Sequence, residues 1–423
     1  MAVMNEIIRV KQNGPLVGEI QVEGAKNSAL KLMAASLLVP GVTKLTNVPN
    51  IADVFVMIEA LSALGVTIQS PEPHTLILDA TTLTDHRAPY EVVVKMRAST
   101  AVLGPLVARL GMASVALPGG CNIGQRKIDM HVSGLEMLGA TCEIVHGYIE
   151  ASAPDGLKGA KVDLSFPSVG ATENLIMAAV LAEGTTVVTN VAREPEIGDL
   201  IDFLNEAGAT IEGRDTPTLT IQGVEKLSPL EHRVVGDRIE AGTFIVGACI
   251  AGGPLTVRGF NPRHLGIVLE KLEETGAVIQ RHEDGVTVDA GQRILPVDIQ
   301  TLPYPGFPTD MQAQMMAYLT QAEGSSIVTE NVFENRFMFA DEIGRMGADI
   351  RIEGHYALVK GNMNLSGAPV AAPDLRGGAA LVLAGLVAQG VTEVSDIYHI
   401  DRGYEGFCDK LRSVGVHVER ICR

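Results

Sequence analysis

Six times along this 423-residue chain the same phrase recurs. A glycine opens a short β-type run, the chain turns into a helical stretch, and a second glycine flanked by apolar or small residues closes it. The opening glycines are Gly41, Gly111, Gly184, Gly253, Gly324 and Gly390, and successive ones lie 70, 73, 69, 71 and 66 residues apart. The closing glycines are Gly65, Gly139, Gly208, Gly276, Gly347 and Gly415. A repeat sets architecture, because each unit must bury its apolar face against its neighbours. Opening to closing takes 23 to 25 residues in five copies and 28 in the second. The extra length falls on Pro118-Gly119-Gly120-Cys121-Asn122-Ile123-Gly124-Gln125-Arg126, so function is expected to depart from the repeat there.

Each copy alternates strand and helix patterns. In the third, TTVVTNV reads as a strand. EIGDLIDFLNEAGA reads as an amphipathic helix, with Ile197, Leu200, Ile201 and Leu204 at helical spacing. Between copies lie further helices rich in Ala, Leu and Met: 28–38, 99–110, 171–182, 241–251, 311–321 and 377–388. Most are nearly apolar all round, which predicts burial, with sheet wrapped around central helices. A chain this long exceeds one ordinary core, and six copies divide into two groups of three near Leu227–Arg238. The strand-like segment Glu6–Val22 precedes the first full copy and has a possible partner in the last. The domains expected are therefore 26–235, carrying the Cys121 loop, and a discontinuous 1–25 with 236–423.

Composition excludes some functions. A formal net charge of −17 argues against a nucleic-acid surface, which needs a basic face. It leaves room for a locally basic pocket for small anions. Five widely spaced cysteines without a CxxC suggest reduced thiols and no metal site. MAVMNEIIRVKQNG lacks the apolar core of a signal peptide. No apolar stretch reaches the roughly 18–20 residues of a membrane span. A cytoplasmic protein without membrane or nucleic-acid partners is expected.

Several segments could carry chemistry. Cys121 sits among glycines that permit mobility or close approach to a ligand, with Arg126, Lys127 and His131 nearby. A thiol beside cations can act as acid, base or nucleophile; an incidental cysteine in a turn is the alternative. Lys26 and Asn27 stand at the start of an apolar helix, where free N–H groups favour anions. Ser168-Val169-Gly170 has the same form and reads equally as an ordinary helix cap. Asp310, before the helix at Met311, reads by default as an N-cap and otherwise as a general base. Arg97, Arg336, Arg376 and Arg402 stand at corresponding turns, and guanidinium forks suit carboxylate and phosphate.

The chain resembles the UDP-N-acetylglucosamine 1-carboxyvinyltransferase family of the enolpyruvyl transferase superfamily. The likeness rests on GAKNSAL, LPGGCNIGQR, SVGATEN, REPEIGDLIDFLNEAGA, FPTDMQAQ, TENVFENRFM, DLRGGAALVLAG and IYHIDRGYE, in that order. It implies an α/β fold of two similar inside-out α/β barrels, each of three repeated units. It also implies enolpyruvate transfer from phosphoenolpyruvate to UDP-N-acetylglucosamine in peptidoglycan synthesis, without a cofactor. By the same resemblance Cys121 is the general acid, forms the phosphoenolpyruvate adduct and is the target of fosfomycin, and Asp310 is the base. Lys26, Arg126 and Arg402 hold phosphate, and Arg336 and Arg376 face the carboxylate. Asn27 contacts the sugar. Arg97, Arg126, Lys127, Ile128, Asp129, Met130, Ser168, Val169 and Gly170 line the nucleotide side. Val332 lies near uridine and Asp374 near proton transfer. The Cys121 loop becomes a lid. This sequence departs from many members at Phe166 and Asn50, where a Lys is common, and at Lys31, where a Pro is frequent. The competing readings are an enolpyruvyl transferase that uses shikimate 3-phosphate, a relative that binds the nucleotide sugar as a sensor without turnover, and a structural repeat protein.

Overall fold

A computed structural model describes residues 6–93, 96–117 and 128–422. Cys121, Arg126 and Lys127 lie outside the described residues. The chain forms two compact units: 6–23 with 236–422, and 24–117 with 128–235. Each has its own apolar core.

Among the described residues the repeat appears as six four-stranded sheets, three in each unit, all with one order and sense. The third copy shows the plan. The edge strand Lys161–Asp163 runs parallel to Thr185–Thr189, which pairs antiparallel with Thr218–Gln222, which in turn pairs antiparallel with Thr210–Glu212. A buried helix, Val169–Ala179, makes the parallel crossover, and the amphipathic helix Pro195–Glu206 leads to the hairpin. The first and last strands of each unit complete its sheets. Leu230–Arg233 supplies the parallel edge for Val42–Thr46. In the other unit Glu6–Lys11 pairs with both Val391–Ser395 and Val418–Cys422, and Gly18–Gln21 supplies the edge for Leu255–Arg258.

The crossover helices are buried as their composition requires. Every residue of Gln312–Leu319 is buried, and so is every residue of Leu375–Gly385 except Leu375. With Arg238–Ala251 these helices pack on one another inside their unit. Helices inside and sheets outside make each unit an inside-out α/β barrel of three repeats.

The closing glycines explain why the phrase ends as it does. All six have φ between 94° and 105°, a region costly for residues with a Cβ. In each copy the glycine N–H bonds the carbonyl three residues back and the next N–H bonds the carbonyl five back, as in Gly208 to Asn205 and Ala209 to Leu204. This is a Schellman cap, which satisfies the last helix carbonyls and turns the chain into the next strand.

No helix among the described residues is long and apolar enough to cross a membrane. No group of three or more His, Cys, Asp or Glu among them is placed to hold a metal ion.

Candidate active site

In the unit containing 236–422, the turn before Gln312–Leu319 carries Asp310 in the short 3-10 segment Thr309–Met311. Its carboxylate does not cap the helix, so the default sequence reading is replaced. Both oxygens instead face arginines distant in sequence. Arg336 Nη2 donates to Oδ1 at 2.7 Å. Arg376 donates to Oδ2 from Nε at 3.3 Å and from Nη2 at 3.0 Å. The two arginines are 4% and 3% exposed, and a buried guanidinium without a carboxylate would be expensive. The buried Arg376 guanidinium also faces the Tyr404 hydroxyl, with its Cζ 5.3 Å from the Tyr404 ring centre.

Glu330, which the sequence reading missed, fixes the backbone on both sides of this pair. Its Oε1 accepts from Thr301 Oγ1 at 2.9 Å and from the N–H groups of Val332 at 2.8 Å and Phe333 at 3.0 Å. Oε2 accepts from Thr309 Oγ1 at 2.9 Å. One buried carboxylate thus ties the residue before Asp310 to the segment that leads to Arg336. The signal available was an acidic residue inside the matched motif TENVFENRFM, but its partners are set by the fold.

Asp374 is the N-cap of Leu375–Gly385, accepting from Arg376 N at 2.8 Å and Gly377 N at 3.1 Å. It therefore aims the helix start that carries Arg376. Arg402 is half-buried at the C-cap of the short helix Tyr398–Asp401. Burial first, and then the Arg402 charge, hold the His399 imidazole below its usual range, against Asp374 and Asp396.

In the other unit, Lys26 opens the helix Lys26–Ala35 and is 9% exposed. Its Nζ lies 2.7 Å from Asp53 Oδ2, which keeps a buried ammonium compensated. Asn27 beside it is exposed. Ser168 is the N-cap of Val169–Ala179, with Oγ accepting from Ala171 N at 3.3 Å; Val169 and Gly170 are the half-exposed first helical residues. Arg97 opens the 3-10 helix Arg97–Val102. Ile128 is the N-cap of Asp129–Met137, and Asp129 Oδ1 accepts from Met130 N at 3.0 Å. His131 is buried, with Nδ1 taking the Asn174 amide at 2.9 Å. Asn174 also accepts from Gly104 N and donates to Thr100 O, so this SVGATEN residue stitches helices together. Lys31 pairs with the buried Glu173 at 2.6 Å. Burial pushes that carboxyl up to about 7, with Lys31 pulling the other way. Phe166 and Asn50 are both exposed.

A second network steadies the Lys26 helix. His232 Nε2 lies 3.0 Å from Asp199 Oδ1, and Nδ1 2.7 Å from Glu206 Oε2. Asp199 Oδ2 accepts from Ser28 Oγ and from Val235 N–H at 3.2 Å. Burial alone would lower the imidazole pKa; the two carboxylates more than offset it and raise it. His232→Gln is expected to cost about 1–3 kcal/mol at low pH, where the charged donor is lost. A raised histidine contributes fully below its unfolded pKa of about 6.5 and loses that contribution as pH rises through the folded value. The gap in Tm between the two proteins should therefore narrow on going from pH 6 to pH 9; a constant gap would show that His232 does not act through its charge.

Comparison with known proteins gives the family and the fold. The family model described as EPSP synthase (3-phosphoshikimate 1-carboxyvinyltransferase) matches residues 10–411. A UDP-N-acetylglucosamine 1-carboxyvinyltransferase from Corynebacterium jeikeium is 53% identical over 96% of this chain and 97% of its own length. A UDP-N-acetylglucosamine 1-carboxyvinyltransferase 2 from Carboxydothermus hydrogenoformans is 53% identical over 98% and 99%. Among solved structures, the enolpyruvyl transferase NikO from Streptomyces tendae superposes with a TM-score of 0.90 at 24% identity, covering 99% of both chains. EPSP synthase from Acinetobacter baumannii gives 0.77 at 18% identity, covering 99% of this chain and 100% of its own.

Proposed function

This chain belongs to the enolpyruvyl transferase family, among the UDP-N-acetylglucosamine 1-carboxyvinyltransferases, and from that premise we propose that it transfers enolpyruvate from phosphoenolpyruvate to the 3′-hydroxyl of UDP-N-acetylglucosamine. Phosphate is released, and the step commits the sugar to peptidoglycan in the cytoplasm. The observation that carries the chemistry is Asp310 set between two buried arginines.

In the addition step Cys121 protonates the methylene carbon, the sugar oxygen bonds to C2, and the hydroxyl proton passes to Asp310. A tetrahedral ketal phosphate forms. In the elimination step a methyl proton returns to the Cys121 thiolate, the C–O bond to phosphate breaks so that inorganic phosphate leaves, and the enol double bond returns. Lys26, Arg126 and Arg402 take the phosphate, and Arg336 and Arg376 the carboxylate. Asn27 meets the sugar. Arg97, the segment from Arg126 to Met130 and Ser168 to Gly170 meet the nucleotide, with Val332 at uridine and Asp374 serving proton transfer by holding the Arg376 helix. Fixed guanidinium groups lower the cost of crowding several negative charges, and excluding water strengthens them. The buried Asp53 and Glu330 support this reading, since each holds a proposed binding segment from behind.

A shikimate 3-phosphate acceptor is the second reading, suggested by the name of the family model. The relatives at 53% identity favour the nucleotide sugar. Mixing the protein with phosphoenolpyruvate should release phosphate only when UDP-N-acetylglucosamine is added. Release with shikimate 3-phosphate instead would reverse the acceptor. No release despite nucleotide-sugar binding would make the protein a sensor.

A further inference from the structure

The proposed roles of Asp310 and its two arginines conflict in the geometry observed. A general base must have an oxygen able to take a proton. Asp310 has one oxygen on Arg336 at 2.7 Å and the other on Arg376 at 3.0 and 3.3 Å. Charge-assisted bonds of this kind stabilise the carboxylate and weaken it as a proton acceptor. The arginines in turn are needed by a substrate carboxylate, and the donors that would receive it already hold Asp310.

We propose that Asp310 is an internal stand-in for the substrate carboxylate: phosphoenolpyruvate displaces it from Arg336 and Arg376, and this exchange frees Asp310 to act as the base. The inference rests on the assignment of these arginines to the carboxylate in the preceding section. Three features make the exchange physically reasonable. One carboxylate replaces another, so neither buried guanidinium is left uncompensated. Tyr404 also bears on the Arg376 guanidinium, so this buried cation keeps a polar neighbour while one carboxylate leaves and the other arrives. Glu330 clamps Thr309 and the N–H groups of Val332 and Phe333, so the backbone on both sides of the pair stays held while the carboxylates exchange. The consequence is a safeguard: the group that accepts the hydroxyl proton is released only when the enolpyruvyl donor is bound.

The test is the affinity for phosphoenolpyruvate of Asp310→Asn and Asp310→Ala. Both are made in a Cys121→Ser background so that binding is read without a covalent adduct. If Asp310 occupies the arginines in nine-tenths of the molecules, removing it lowers the apparent Kd by about tenfold. Inorganic phosphate, which lacks a carboxylate, is the control and should bind as before. Unchanged or weaker phosphoenolpyruvate binding in both variants overturns the proposal. So does an equal gain for inorganic phosphate, because the effect would then be the general loss of a negative charge. The parent protein separates this from the function itself. If it neither binds phosphoenolpyruvate nor releases phosphate, the transferase reading fails; if it turns over while the variants bind no more tightly, only the exchange fails.

Discussion

Asp310→Asn lowers kcat by about 10²–10⁴-fold, the range for loss of a positioned general base, while UDP-N-acetylglucosamine still binds. Asn keeps the volume of Asp and one oxygen to accept from a guanidinium, but it cannot take the hydroxyl proton. The substitution therefore separates proton transfer from position. It also leaves Arg336 and Arg376, 4% and 3% exposed, without a counter-charge, so the variant's unfolding temperature must be measured beside its turnover. Single-turnover phosphate release reports the chemical step, and calorimetric titration with the nucleotide sugar reports the site. A folded variant with wild-type release would remove Asp310 from catalysis and make it a holder of arginines only. Loss of nucleotide-sugar binding in proportion to the loss of rate would move its role from proton transfer to binding.

How much of this was legible in the sequence depended on whether the determinant was local. The closing glycines were legible because a Schellman cap is written in consecutive residues, and all six copies use it. The crossover helices were legible because near-uniform apolar composition has one common outcome, burial. The likeness of GAKNSAL or FPTDMQAQ to a family named candidate residues but not their partners. Asp310 read locally as a helix cap, since a carboxylate before a helix usually is one. The fold instead brings Arg336 and Arg376 to it across 26 and 66 residues, and two buried guanidinium groups outcompete a helix N-terminus for the same charge. The cap is Asp374, one copy further on. Ser168 reverses that lesson, since the ordinary cap is what the structure displays. Glu330, Asp199 and Asn174 were invisible for a common reason. Each is a polar residue whose burial, and therefore whose need for several partners, follows from tertiary packing and not from periodicity. Lys31 was visible only as a departure from the family's usual Pro, and the fold gives it a buried partner in Glu173, a pairing no spacing rule could anticipate.

Fosfomycin should inactivate the protein completely, with one adduct per chain, at Cys121. The argument is one of relative reactivity. An epoxide is opened by a thiolate, so the attacked cysteine is one that ionises near neutral pH. Burial pushes Cys142 up to about 11, with Glu136 adding to it, and Cys249 up to about 12, with Asp289 adding to it. Burial likewise takes Cys408 to about 11. At pH 8 a thiol with a pKa near 11 is thiolate in about one molecule in a thousand, so these three are poor nucleophiles however long the exposure. Cys422 is exposed, in the strand Val418–Cys422, and its modification can be told apart from that of Cys121 by peptide mapping. Cys121 is followed five and six residues on by Arg126 and Lys127, and in the proposed mechanism cations beside the thiol favour its thiolate. Intact-mass analysis after treatment should show a gain of one fosfomycin together with loss of phosphate release. Cys121→Asp should turn over without gaining mass, because a carboxyl group can still deliver a proton to the methylene carbon but is not alkylated under the same conditions. An inactive Cys121→Asp protein would mean that the reaction needs the thiol itself. An unmodified and active wild type would remove Cys121 from the mechanism altogether.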